Sequence, residues 1–216
     1  MMEFGKRDIA ILGLSLAFAL VYTYCLQYGL YPSKPFIKGP VILLLALFAF
    51  LNTEGRTRLL LTLALILSSV GDIFLALPPS YFVHGLISFL IAHLFYIALF
   101  LRFRRPALTA KDGLVAAGLA LYGIGLVAFL YPSLGPMTVP VCVYAAVLLG
   151  MGFTSSLSRF PLPLLFIGAL IFISSDSGIA INKFIGAGEW LGYATWSTYV
   201  VAQYLITLSV VKYGKQ

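Results

Sequence analysis

Eight long apolar stretches run through this chain, at 9–28, 35–51, 59–77, 82–101, 114–131, 137–153, 162–181 and 190–211. Few folds accept them. A helix needs roughly 20 mostly apolar residues to cross the ~30 Å hydrocarbon layer of a bilayer, and each stretch is near that length. Soluble domains carry about 25% charged residues, whereas here 10% are charged and 61% hydrophobic, with a mean hydropathy of +1.02. A water-soluble globule is therefore excluded, and so is a disordered chain. A membrane β-barrel would read as ~10-residue segments of alternating polarity, which continuous apolar runs contradict. The expectation is an all-α, polytopic integral membrane protein. It is a single domain over 1–216, with eight transmembrane helices in one bundle and no soluble domain left over.

The breaks between stretches carry helix-breaking residues, such as Tyr31-Pro32-Ser33, Pro78-Pro79-Ser80 and Gly186-Ala187-Gly188. Pro and Gly belong there because they end helices without leaving buried backbone groups unbonded. With eight crossings, both termini and three of the loops share one side of the membrane. That side holds eleven of the fourteen bases, among them Arg102, Arg104 and Arg105; the other holds Lys34, Lys38 and Lys183. Such a split places the basic side, and both termini, in the cytoplasm. The net charge of +7 thus reports orientation rather than nucleic-acid binding, and the basic loops receive no catalytic role. The first stretch is too long for a signal-peptide core and lacks a small-residue cleavage site, so it reads as a retained span. Cys25 and Cys142 lie in apolar runs and read as small hydrophobes, not as a disulfide or metal framework.

Two carboxylates fall inside the spans, Asp72 in the third and Asp176 in the seventh. An aspartate in hydrocarbon costs at least a few kcal/mol and usually marks a functional interior site. Both lie about five residues, or ~7–8 Å at the helical rise, from the non-cytoplasmic end of their helices. Each follows serines, in Ser68-Ser69-Val70-Gly71-Asp72 and Ser174-Ser175-Asp176. The halves 1–105 and 106–216 each carry an aspartate in their third span, which is compatible with a weak 4+4 internal repeat. The plainer alternative is an ion pair that pins helices. Lys183 lies two turns beyond Asp176 on the same face, and Lys34 and Lys38 share that side of the membrane.

Other polar residues gather at similar or greater depth. The fourth span carries His84, Ser88, His93 and Tyr96; the eighth carries Thr195, Tyr199, Gln203 and Thr207 at i, i+4 spacing. A stripe of this kind must face protein or water. Interhelical hydrogen bonding accounts for Thr195 and Thr207, at ~0.6 kcal/mol per contact. His93, Tyr199 and Gln203 lie deeper and have several donors each. Metal binding is not expected, since His84 and His93 are on different faces and no paired-histidine motif exists.

The motifs resemble those of the YhhN-type membrane proteins. Gly71-Asp72, followed by Gly85-Leu86-Ile87-Ser88-Phe89-Leu90-Ile91-Ala92-His93-Leu94-Phe95-Tyr96, looks like one conserved block of that family. Ser175-Asp176-Ser177-Gly178-Ile179-Ala180-Ile181-Asn182-Lys183-Phe184 is similar to its second acidic motif. Ser197-Thr198-Tyr199-Val200-Val201-Ala202-Gln203 is similar to its final-helix motif, and Ser33-Lys34-Pro35 to a basic motif before its second helix. The resemblance covers essentially the whole chain and is weakest in the fifth and sixth spans. Characterised members are lysoplasmalogenases, which hydrolyse the vinyl ether of lysoplasmalogens to a fatty aldehyde and glycerophospho-ethanolamine or -choline. The resemblance implies Asp72 and Asp176 as the catalytic pair. The substrate-binding candidates are Lys34, Lys38, His93, Asn182, Lys183, Tyr199 and Gln203. The implied partners are a lysophospholipid substrate and the membrane lipid, with no nucleic acid, protein partner or cofactor. A bacterial cytoplasmic membrane is the expected location.

The chemistry agrees with that implication. Vinyl ether hydrolysis needs an acid to protonate the β-carbon and a carboxylate to stabilise the oxocarbenium ion and deprotonate water, as in glycoside hydrolysis. The outer lysines would meet the phosphate, with Lys38, one turn further into its helix, snorkelling outward. Two rivals remain. Ser69 stands where an intramembrane aspartyl protease has glycine, no Tyr-Asp pair exists, and the one Pro-Ala-Leu, at 106–108, is in a basic loop. Against a proton-coupled transporter, both acids are shallow rather than near the midplane.

Overall fold

The computed structural model describes residues 5–28, 34–160 and 162–214. The expected turn Tyr31-Pro32-Ser33 lies outside the described residues, as do Lys215 and Pro161. Among the described residues there are eight α-helices and no strand: α1 (Lys6–Tyr28), α2 (Lys34–Asn52), α3 (Gly55–Ala76), α4 (Phe82–Arg102), α5 (Ala110–Leu134), α6 (Thr138–Ser156), α7 (Leu162–Phe184) and α8 (Glu189–Tyr213). Helices are what lipid demands, because each backbone N–H and C=O is then bonded within its own segment.

Seven continuous helical stretches among the described residues are long and apolar enough to cross a membrane, against the eight expected. The difference lies in 110–156, where α5 and α6 are joined directly by a single 3₁₀ turn, Gly135–Met137, with no loop residues between them. Gly135 takes φ +51 there, a left-handed conformation that glycine adopts without a Cβ penalty. The chain folds back at this point. Leu130 and Leu134 cluster with Val141, and Gly123 faces Leu149, so α5 and α6 form an antiparallel hairpin.

The chain packs as two compact units, 1–99 with 207–216, and 100–206; the boundaries fall inside α4 and α8. In the first unit, α2 packs on α1 and α3. Apolar surface supplies no driving force between helices in lipid, so close approach depends on small residues and hydrogen bonds. Gly39 of α2 lies against Ile73, and Gly71 of α3 lies under the Phe89 ring of α4. Three hydroxyls cross between helices to backbone carbonyls: Ser15 to Val41 at 2.8 Å, Ser69 to Gly39 at 2.8 Å and Ser88 to Leu67 at 2.7 Å.

In the second unit, α7 packs against both arms of the α5–α6 hairpin. Gly168 lets α7 approach Leu205 and Ile206 of α8. The connection before α5 is tied by polar groups. Asp112 accepts from the Thr109 backbone N–H at 2.7 Å, completing a capping box, and from Arg105 at 2.7 Å. Arg105 also donates to the Ser156 carbonyl at 3.0 Å. This base therefore fastens the α4–α5 connection to the end of α6, in addition to any bias it exerts on topology.

Candidate active site

Asp72 and Asp176 are both buried, at 1% and 6% exposure, and they belong to different units. Their surroundings differ in kind. Asp72 lies in the last two turns of α3, and its Oδ1 is 3.0 Å from Lys38 Nζ on α2. The Lys38 side chain is only 12% exposed. Its ammonium also stands 5.8 Å from the centroid of the Tyr22 ring, a cation–π distance. The expectation that Lys38 snorkels outward is therefore corrected. An ammonium one turn inside a helix can reach the surface only if no buried anion competes for it, and Asp72 does.

The serines before Asp72 are committed to backbone. Ser68 donates to the Ala64 carbonyl at 2.8 Å, and Ser69 ties α3 to α2. Deeper in this unit, His93 is fully buried on α4, its ring 6.4 Å from that of Phe89. His84 is exposed and packs with Phe74 and Tyr81, so the two histidines face different ways. Lys34, the first residue of α2, is half-buried.

Asp176 sits on α7 within the second unit and accepts a hydrogen bond from the hydroxyl of Tyr144 on α6. One residue on, Ser177 accepts from the Tyr122 hydroxyl of α5 at 2.7 Å and donates to the Ile173 carbonyl at 2.7 Å. Ser175 donates to the Thr195 carbonyl of α8 at 2.9 Å. The segment around Asp176 is thus held by hydroxyl bonds to three neighbouring helices. Asn182 and Lys183 are exposed near the end of α7.

The stripe on α8 points inward as its spacing requires. Tyr199 and Gln203 are buried, and Gln203 Nε2 donates to the Tyr199 hydroxyl at 3.3 Å. The Tyr199 ring meets Phe172 edge-on at 5.4 Å. Thr207 departs from expectation. It is fully buried, and among the described residues its hydroxyl makes no hydrogen bond, so the interhelical bond expected of it is not formed. Thr195 does join helices, but through its carbonyl.

Sequence reading missed Tyr144, Tyr122 and Tyr22. The first two lie in the spans where only hydrophobicity had been legible. A tyrosine in the middle of an apolar run is the available signal, because a buried phenol needs a hydrogen-bond partner.

The YhhN family matches residues 33–210 of this chain, a range that contains both aspartates. A Mycobacterium bovis protein named lysoplasmalogenase is 39% identical over 180 residues, covering 81% of this chain and 69% of the relative. Human lysoplasmalogenase TMEM86A is 39% identical over 158 residues, covering 68% of this chain and 63% of the relative. Mouse lysoplasmalogenase TMEM86B is 33% identical over 178 residues, covering 82% and 74%. No solved structure matches.

Proposed function

The chain belongs to the YhhN family, and from that membership we infer that it is a lysoplasmalogenase, a membrane hydrolase of the vinyl ether bond of 1-alkenyl lysophospholipids. The observation that carries the reading is the likeness to lysoplasmalogenases over most of the chain, across a range that includes two buried carboxyls. Neither rival draws comparable support, since no relative reported above is named as a protease or a transporter.

The reaction is acid-catalysed hydration followed by collapse. A carboxylic acid gives its proton to the β-carbon of the vinyl ether, leaving an oxocarbenium ion. Water adds to the carbon bonded to the ether oxygen and loses a proton to a carboxylate. The resulting hemiacetal breaks its C–O bond, releasing fatty aldehyde and the glycerophospho-alcohol. One aspartate must therefore be protonated and the other ionised. We assign Asp72 as the carboxylate, because the Lys38 ammonium pairs with it. Asp176, whose Oδ2 accepts from Tyr144, is then assigned as the acid. Lys34 and Lys183 are assigned to the phosphate, and His93, Asn182, Tyr199 and Gln203 to the remainder of the substrate.

The proposal includes eight crossings with both termini cytoplasmic. The reversal at Gly135 and the asymmetry of basic residues support it. A bacterial cytoplasmic membrane is the proposed location, in keeping with the mycobacterial likeness. The test is release of fatty aldehyde from 1-alkenyl lysophosphatidylethanolamine by the purified protein in detergent. Wild type is expected to release it, and well-folded Asp72→Asn and Asp176→Asn are each expected to lose it. Failure of the wild type would overturn the activity. Full turnover by either mutant would remove that residue from the chemistry.

A further inference from the structure

A groove of about 380 Å³ runs between α5 and α7, open on the side where Tyr122 and Leu170 are exposed; its volume is that of ligand pockets, ~300–1,000 Å³. Its lining runs from Val115 to Tyr122 along α5 and from Phe166 to Ser174 along α7, wholly inside the second unit. The eight steps from Phe166 to Ser174 along α7 correspond to ~12 Å at 1.5 Å per residue. One end is apolar, between Val115 and Phe166. The other is polar, at Tyr122 and Ser174.

The polar end leads to Asp176. On α7, Phe166, Leu170 and Ile173 line the cavity at i, i+4 and i+7, and Ser177 continues the same stripe at i+11. Tyr122 closes that end by donating to Ser177 at 2.7 Å. Asp176 is three residues after Ile173, so the two share a helix face. An apolar slot that ends at the hydroxyls of Tyr122 and Ser174, within one helical turn of Asp176 along α7, has the polarity of a single-chain ether lipid. In such a lipid the reacting vinyl carbons are the first two of the hydrocarbon chain.

We propose that this cavity holds the alkenyl chain of the substrate, with the chain's far end toward Val115 and Phe166 and its vinyl ether beside Asp176. The proposal rests on the lysoplasmalogenase reading. The cavity's role is register rather than affinity. A chain leaving the bilayer interior gains no hydrophobic free energy by entering another apolar site, because lipid tails are as apolar as the lining. Holding the chain in one register places its first two carbons at the acid, which raises the rate through positioning. Ser174 and Tyr122 then lie where the chain ends and the ether oxygen begins.

Gly118 provides the test. A Cβ there meets nothing within 4 Å, so Gly118→Leu starts a bulky side chain in open space at the wall of the groove. Gly125, on the same helix and outside the lining, has equally open space and supplies the control Gly125→Leu. The measurement is kcat/KM for hexadecenyl against but-1-enyl lysoplasmalogen, whose chain ends before Gly118, ~6 Å along α5 from Tyr122. Gly118→Leu is expected to lower the long-to-short ratio about tenfold, while Gly125→Leu keeps the wild-type ratio. An unchanged ratio in Gly118→Leu, or an equal shift in both variants, would overturn the proposal.

A second readout needs no turnover. A saturated 1-O-alkyl lysophosphatidylethanolamine with a diazirine at its chain end should label the Val115–Leu119 and Phe166 region. A diacyl phosphatidylethanolamine should compete poorly. Labelling elsewhere, or equal competition by the diacyl lipid, would show an annular lipid and overturn the proposal. Correct labelling with no aldehyde release by wild type would instead overturn the catalytic reading and leave the chain site standing.

Discussion

Lys38 Nζ stands 3.0 Å from Asp72 Oδ1, joining the first turns of α2 to the last turns of α3 inside the first unit. Removing one partner of a buried pair strands the other, at about 3–5 kcal/mol if the charge stays. The pair therefore has both structural and chemical weight, and kinetics separates the two.

Lys38→Met keeps the length of the side chain and removes the charge. It is expected to lower kcat about a hundredfold, the scale of one general acid–base contribution, with KM within a few-fold of wild type. Lys183→Ala, by contrast, is expected to raise KM with a smaller effect on kcat, as loss of uniform phosphate binding does. Steady-state kinetics on lysoplasmalogen at fixed detergent checks both. A rise in KM alone for Lys38→Met would return that lysine to the phosphate.

Tyr144→Phe removes the hydroxyl that Asp176 accepts and keeps the ring. A hydrogen bond to a neutral carboxyl contributes about 0.5–1.5 kcal/mol, so kcat is expected to fall by roughly two- to tenfold. Thermal unfolding in detergent should show a folded protein. Wild-type kcat in the folded variant would separate Tyr144 from the chemistry.

Gly71 carries the contact between α3 and α4. A Cβ at this position would lie 2.5 Å from the Phe89 ring, whereas one at Gly125 would meet nothing. Gly71→Ala is therefore expected to destabilise by about 1–3 kcal/mol through overpacking. Gly125→Ala should be neutral or stabilising by up to ~1 kcal/mol, from helix propensity. The two melting temperatures in one detergent decide this. Equal values would remove Gly71 from the packing argument.

Orientation is open to reporter fusions. A reporter after Gln216 is expected to read as cytoplasmic, and reporters in the Pro79–Tyr81 and Gly135–Met137 turns as external. A cytoplasmic signal from the second turn would mean that the α5–α6 hairpin does not cross twice, leaving a different number of crossings.

Much of the secondary structure was legible because lipid makes helix formation a local matter. With no water to satisfy the backbone, every apolar run of sufficient length becomes a helix, and Pro and Gly clusters mark where it stops. The one departure, seven continuous stretches rather than eight, arises at Gly135, where a single residue of positive φ reverses the chain without a polar loop. The buried aspartates stood out for a related reason, since a charge in an apolar run is visible in one dimension.

What each aspartate touches was only partly visible there. For Lys38 the sequence offered both an ion pair with an aspartate and an outward course, and the pair with Asp72 is the one formed; Tyr144, unremarked in an apolar run, donates to Asp176. Hydropathy determined which segments are helical and which charges are anomalous. Tertiary packing alone decided the partners of those charges and the cavity between α5 and α7. Helices in lipid select their contacts by the fit of small residues such as Gly39 against Ile73 and Gly71 against Phe89, and no apolar period encodes that fit.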